Sequence, residues 1–236
     1  MIDIKANLTI VEQQILNACE KCHRNKQDVT LLAVSKTKPI DLIEQAYRAG
    51  QLSFGESYIQ ESVEKIPALS HLPEIDWHFI GPIQSNKTQH ISHYFSWVHS
   101  VDRIKIAKRL NEHRSSQDTP LNVCLQVNIS GEESKSGVSI DELPALVDYV
   151  NQCEHLLLRG LMAIPEKNAA HSSYQTMQRL YKSLQVTQHE KLGAMAKIDT
   201  LSMGMSNDLE PAIAEGSTMV RIGTAIFGAR SIKKPS

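Results

Sequence analysis

The segment VTLLAVSKTKPIDLIEQAYRAGQLSFG, residues 29–55, reads as one complete strand–helix–strand unit. VTLLAVS (29–35) is a short apolar run with β-branched residues, the signature of a strand buried on both faces. It stops at Lys36, and a second lysine follows at Lys38. Pro39 suits the first turn of a helix, where its missing N–H is not needed, and Gly50 suits a stop just past the last turn of DLIEQAYRAG (41–50). QLSFG (51–55) then reads as the next strand. A strand that reaches its successor through a helix implies parallel pairing.

The alternation continues outward to the C-terminus. Further strand patterns are WHFIG (77–81), FSWVHSV (95–101), LNVCLQVNI (121–129), LLLRGLMAI (156–164), IDTLSMG (198–204) and TMVRIG (218–223). Helical patterns between them include DRIKIAKRLNEHR (102–114), DELPALVDYVNQC (141–153) and SYQTMQRLYKSLQ (173–185). Eight strands, each followed by a helix or turn, predict an α/β fold, a single TIM (β/α)8 barrel. A doubly wound open sheet is the alternative, but it rarely uses eight strands in so short a chain. With no linker, low-complexity stretch or strong repeat, residues 1–236 read as one domain, with an extra N-terminal helix within 1–27 and a basic tail at 231–236.

Composition narrows the function classes. Lysine and arginine total 25 against 26 aspartates and glutamates, a net charge of −1, which supplies no footprint for nucleic acid or an anionic membrane. At 41% hydrophobic residues the chain can bury a sizeable core, and no run suggests a membrane span or signal peptide, so a cytoplasmic location is expected. Cys19 and Cys22 form a C-x-x-C. Together with Ile4, Leu8, Val11 and Ile15 they also recur at helical spacing, so both sulfurs read as members of a buried stripe. No second C-x-x-C completes a zinc site, and His90 and His93 read as surface residues; no metal is expected.

In a barrel of this kind, sites form at the carboxyl ends of the strands. Strand one ends in Ser35-Lys36-Thr37-Lys38, strand seven in SMGMSND (202–208) and strand eight in RIGTAIFG (221–228). The last two suit a phosphate, which such barrels hold between the loops after strands seven and eight. Ser206 reads as an N-cap, Gly223 lets backbone approach a ligand, and Thr224 adds a hydroxyl. A lysine facing a water-poor cup loses its proton more readily, the more so if Lys38 adds like-charge repulsion, and a neutral amine forms Schiff bases with carbonyls. An aldehyde and a phosphate on one small ligand suggest pyridoxal phosphate; a sugar phosphate in an aldolase competes. Arg221, inside an apolar strand, needs an acceptor: the cofactor's pyridine nitrogen, or a carboxylate in a structural ion pair.

AVSKTKP, FGESYIQE, WHFIGPIQSNK, NISGEESKSG, RGLMAIP, LSMGMSND and GSTMVRIGTAIFG, taken in order over about residues 28 to 230, resemble the pyridoxal phosphate homeostasis proteins (YggS/PROSC family). The resemblance implies a barrel like the N-terminal domain of alanine racemase, with pyridoxal 5′-phosphate (PLP) as a Schiff base on the lysine that Lys36 matches. It further implies phosphate contacts from the segments holding Ser206, Gly223 and Thr224, and Arg221 as the family arginine. Met203, Ser57 and His78, at the ends of their strands, complete the expected cofactor-binding set. Ser57 stands where the family usually has asparagine (FGES for FGEN), and a hydroxyl cannot supply both the donor and the acceptor of an amide. Lys135, in SKSG, is a candidate for a second, transient cofactor-handling amine.

The resemblance implies a role in vitamin B6 homeostasis, with indirect effects on amino-acid and keto-acid balance, and no established catalysis. Racemisation needs acid/base groups on both faces of the substrate carbanion, and the sequence ends about six residues after ARS, in IKKPS, with no second domain expected to bring the opposing tyrosine. A PLP-binding, non-catalytic monomer that transiently meets PLP-dependent apo-enzymes is therefore expected. A PLP-dependent amino-acid racemase and a Schiff-base aldolase are the alternatives.

Overall fold

The structure, a computed structural model, describes residues 2–114, 119–131, 136–164 and 170–229. Lys135 and the tail with Lys233 and Lys234 lie outside them. Eight strands are present: β1 Thr30–Val34, β2 Ser53–Glu56, β3 Asp76–Phe79, β4 Trp97–Val101, β5 Leu121–Gln126, β6 Leu156–Met162, β7 Thr200–Ser202 and β8 Met219–Ile222. They pair in parallel in chain order, and β8 returns to β1, which closes the barrel. The barrel expectation holds and the open sheet is excluded. Each strand lies inside or within one residue of the segment read from the sequence, shortened where the chain leaves the ladder for a loop.

The helices are α1 Ile4–Lys21, α2 Ile40–Arg48, α3 Ile59–Ala68, α4 Thr88–Tyr94, α5 Ile104–Arg114, α6 Leu143–Asn151, α7 Ala170–Leu192, α8 Leu209–Ala214 and the single turn α9 Thr224–Phe227. Pro39 sits one residue outside α2, as its N-cap, and Gly50 follows the C-cap Ala49. None of the described helices is long and apolar enough to cross a membrane. No group of three or more His, Cys, Asp or Glu side chains among the described residues is placed to hold a metal ion.

Side chains alternate along each strand, and this period of two creates two cores. Trp77 and Phe79 of β3 face outward, against Phe54 and Phe95 respectively. The other half of the same strand, Asp76 and His78, therefore faces the barrel interior. There Trp97, Cys124 and Met162 form an apolar cluster separate from the main core. At the amino end Arg159 donates to both oxygens of Asp199, at 3.0 and 2.5 Å, and to Asn122 Oδ1 at 2.7 Å. Its guanidinium lies 4.5 Å from the centre of the Trp97 ring, so a cation–π contact helps seal that end.

The N-terminal helix is part of the outer ring. Asp3 caps α1 by accepting from the Ala6 N–H at 2.9 Å. Ile4, Leu8, Val11, Ile15, Ala18 and Cys19 are buried, while Cys22 is half-buried and its thiol donates to the Ala18 carbonyl. Asn7 donates to the Ile226 carbonyl at 2.8 Å, and Arg24 donates to the carbonyls of Ile213 and Ser217 at 2.7 Å each. These contacts fasten α1 beside α8 and α9. Truncation of Ile15, which is fully buried, to alanine is expected to cost about 2–5 kcal/mol through lost transfer energy and a residual cavity. Urea unfolding should show a lower midpoint with an unchanged slope; a midpoint equal to the parent's would mean that α1 is dispensable to the barrel.

Candidate functional site

At the carboxyl ends of the strands lies a cavity of about 620 Å³ whose lining includes Lys36, Arg221, Ser206, Gly223 and Thr224. The fold thus brings five of the expected site residues to one space, although up to 188 positions separate them in the chain. Lys36 is the second residue past β1 and half-buried. Its Nζ donates to Ser57 Oγ at 3.3 Å, so the hydroxyl that replaces the family amide still meets the lysine. Ser57 is held from behind by Gly81: a Cβ there would lie 2.2 Å from the Ser57 carbonyl oxygen, which no other residue permits.

The loop after β7 turns at Gly204, whose φ of +93° suits glycine and whose Cβ, were there one, would meet that of Ala212 at 2.6 Å. The turn then tightens as Asp208 Oδ1 accepts from the Met205 N–H at 2.6 Å. Asp208, not Ser206, is therefore the N-cap position of α8. Two further residues are spent in the turn, which releases Ser206 to border the cavity. On the neighbouring strand Gly223 opens the single turn α9. Thr224 and Ala225, at its start, have no carbonyl one turn back for their N–H groups.

Lys38 is anchored at the end of α9. Its ammonium donates to the carbonyls of Phe227, Gly228 and Ala229 at 3.0, 2.8 and 2.7 Å. Those are carbonyls at the end of α9, where a cation is favoured. Arg221 is buried, and its NH1 donates to the carbonyl and the hydroxyl of Ser202 at 2.6 and 2.8 Å, its NH2 to the Ala163 carbonyl at 2.9 Å. Burial lowers its pKa to about 10, which still leaves a full positive charge at neutral pH. These partners are neutral oxygens rather than the carboxylate of a structural ion pair.

Two expected site residues lie under the cavity rather than on its wall. Met203 is fully buried, its carbonyl accepting from Ser217 Oγ at 2.7 Å. His78 is buried in the barrel interior, stacked on Trp97 with ring centres 5.2 Å apart. The cavity also has walls that the sequence reading passed over: Ile80, Ile164 and, from α1, Gln14. Nothing in the helical pattern distinguishes Gln14 from any other exposed position.

The sequence profile of the alanine racemase N-terminal domain matches residues 7–231. A Pseudomonas aeruginosa protein named pyridoxal phosphate homeostasis protein is 51% identical over 240 aligned residues, the full length of both chains. PipY of Synechococcus elongatus, solved with PLP bound, is 31% identical and superposes with a TM-score of 0.80 over 96% of this chain and 100% of that one. An alanine racemase from Corynebacterium glutamicum shares the fold at 13% identity, with a TM-score of 0.65 over 99% of this chain and 62% of that one.

Behind Lys36 stands a buried clamp that the sequence reading did not contain. Thr37 has φ +63°, a costly conformation for a β-branched residue, on the order of 1–3 kcal/mol. Its N–H donates to both Glu61 oxygens, at 2.8 and 3.0 Å. Lys65 Nζ donates to the Ser35 carbonyl at 3.1 Å, to Glu56 Oε1 at 2.8 Å and to Glu61 Oε1 at 2.5 Å. Ser35 Oγ adds a bond to Glu56 Oε1 at 2.7 Å. Burial pushes the Glu56 carboxyl up, against the opposing pull of Lys65, and its second oxygen is buried without a partner. The residues on either side of Lys36 are thus fixed by one ammonium. Lys65→Met is expected to destabilise the protein by about 3–5 kcal/mol by stranding a buried carboxylate. Adding Glu56→Leu should recover much of that loss in chemical denaturation, since an apolar replacement of a buried pair is tolerated. No recovery would mean that the pair does not act as a unit.

Proposed function

Because this chain belongs to the pyridoxal phosphate homeostasis protein family, we propose that it binds PLP as a Schiff base on Lys36 and serves intracellular vitamin B6 homeostasis. The observation that carries the reading is the convergence of the Lys36 amine, the Ser206 and Thr224 hydroxyls and the buried Arg221 guanidinium on a single cavity. This donor set fits the cofactor group by group. Ser206, Thr224 and the amides that open α9 suit a phosphate, and Arg221 is a donor for the ring nitrogen. When bound, the cofactor supplies an electrophilic aldehyde carbon and an electron-withdrawing ring. Lys36 Nζ is the amine that would hold the aldehyde carbon. Ser57 Oγ, within hydrogen-bond reach of that nitrogen, orients it. Arg221 keeps its own proton and so leaves the ring nitrogen unprotonated and the ring a weak electron sink.

The same wall supports holding over turnover. Its titratable groups among the described residues are Lys36, Lys38, Asp208 and Arg221. Lys38 is committed to three carbonyls, Asp208 to the Met205 N–H and Arg221 to Ser202 and Ala163. Racemisation requires a second acid/base group opposite the lysine, and these three side chains are each engaged in hydrogen bonds within the protein. We therefore read the protein as a non-catalytic cytoplasmic PLP binder, a monomer that gives up its cofactor to PLP-dependent apo-enzymes when water reverses the Schiff base.

Protein mixed with PLP should develop a near-visible absorbance band that borohydride abolishes while fixing one cofactor on Lys36, read by peptide mass. Lys36→Ala should lose the band; its persistence there would refute the anchor. Incubation with each L-amino acid should yield no D-isomer, and sustained turnover would replace the binder reading with the racemase.

A further inference from the structure

A file of polar groups crosses the barrel interior from its amino rim to the cavity. Arg221 NH1 lies 2.8 Å from Ser202 Oγ, Ser202 Oγ lies 2.9 Å from His99 Nδ1, and His99 Nε2 lies 2.9 Å from His78 Nδ1. His78 Nε2 ends the file 3.2 Å from Asp76 Oδ2. His78, His99, Ser202 and Arg221 are all buried, while the Asp76 side chain is 40% exposed at the start of β3. From this we infer that Asp76, His78, His99 and Ser202 form a one-way hydrogen-bond chain that holds Arg221 in place, which makes all four positioning residues for the cofactor ring. The inference rests on the reading of Arg221 as the donor for the ring nitrogen.

The direction follows from the two ends. A guanidinium has donors and no acceptor, and a carboxylate has acceptors and no donor. Ser202 Oγ must accept from Arg221, which leaves its own proton available for His99 Nδ1 when that nitrogen is unprotonated. His99 then carries its proton on Nε2 and gives it to His78 Nδ1, and His78 carries its proton on Nε2 and gives it to Asp76. With each ring carrying a single proton and Asp76 ionised, four links use four protons, one from each donor, and no other placement satisfies every link. A second proton on His99 would point at Ser202 Oγ across 2.9 Å, and the hydroxyl would have to turn its own proton out of the file. His99 is held neutral chiefly by burial, with the nearby Arg221 guanidinium acting the same way, and its pKa lies well below the usual histidine value.

The far end is equally fixed. Burial would raise the Asp76 carboxyl, but the hydrogen bonds from His78, Ser96 and Trp97 outweigh it and hold the carboxyl below its usual range. Ser96 Oγ donates to its other oxygen at 2.6 Å. His78 is pressed flat on Trp97, at an interplanar angle of 11°. A buried cation whose direct partners are neutral thereby faces a remote carboxylate through aligned dipoles, each link polarising the next.

The test needs no variant at first. Two-bond ¹H–¹⁵N correlation spectra of the cofactor-free, full-length protein at pH 7 should show His78 and His99 as neutral Nε2–H tautomers. A charged ring, or a proton on Nδ1 of either, would overturn the chain. In Asp76→Ala, His78 should become a mixture of tautomers while the melting temperature shows a folded protein, and the PLP dissociation constant should rise about three- to tenfold. Parental affinity in that folded variant would overturn the positioning role. Failure of the parent protein itself to bind PLP would sink the cofactor reading and the positioning role with it, while the tautomers would still report the chain.

Discussion

Four residue pairs, Thr30–Met219, Leu31–Val220, Leu32–Arg221 and Ala33–Ile222, close the sheet on itself. Every functional juxtaposition in the molecule depends on that seam. Lys36 lies just beyond one side of it, and Gly223 and Thr224 lie just beyond the other. The approach is close: a Cβ on Gly223 would sit 3.2 Å from the Val34 carbonyl oxygen. An amine and the turn at Gly223 and Thr224 become neighbours because two strands from opposite ends of the chain share one ladder. In an open sheet the same residues would stand on opposite edges.

The interior of this barrel is not the stack of branched aliphatic residues usual for the fold. It holds two histidines, a tryptophan, a serine and an arginine, with the salt-linked Arg159 and Asp199 sealing the floor. Such a core is unforgiving, since any one lost partner leaves a buried polar group unsatisfied. It is also specific, because the hydrogen bonds fix ring orientations that apolar packing would leave to shape alone. The upper end of this polar column is the guanidinium that meets the cavity, so the composition of the core and the chemistry of the site are one problem rather than two.

The elements that could be read from the residues were those with a one-dimensional signature. Apolar runs such as LLAV and NVCLQV, separated by helical spacing, announce the eight strands, and the ends of strands one, seven and eight announce Lys36, Ser206, Gly223 and Thr224. Alternation along WHF and WVHS also places His78 and His99 on one face, a signal available but unused. What stayed hidden depends on contacts across the fold. Asp208 stands at the N-cap position in place of Ser206, and its carboxylate accepts from the Met205 N–H three residues back. Lys65 reads as one more charge on an exposed helix until Glu56, Glu61 and Ser35 are seen around its ammonium. No spacing rule connects Lys38 to carbonyls 189 to 191 positions away.

That last contact ties two loops that the fold merely places side by side. With one ammonium bridging the strand-one loop to the end of the turn after strand eight, Lys36 and Thr224 share a common mechanical frame. The bridge constrains the span between the amine and the turn, the dimension a small rigid ligand must match. A disturbance at either loop reaches the other through three charge-assisted hydrogen bonds, so the ligand itself need not hold the two halves of its site in register.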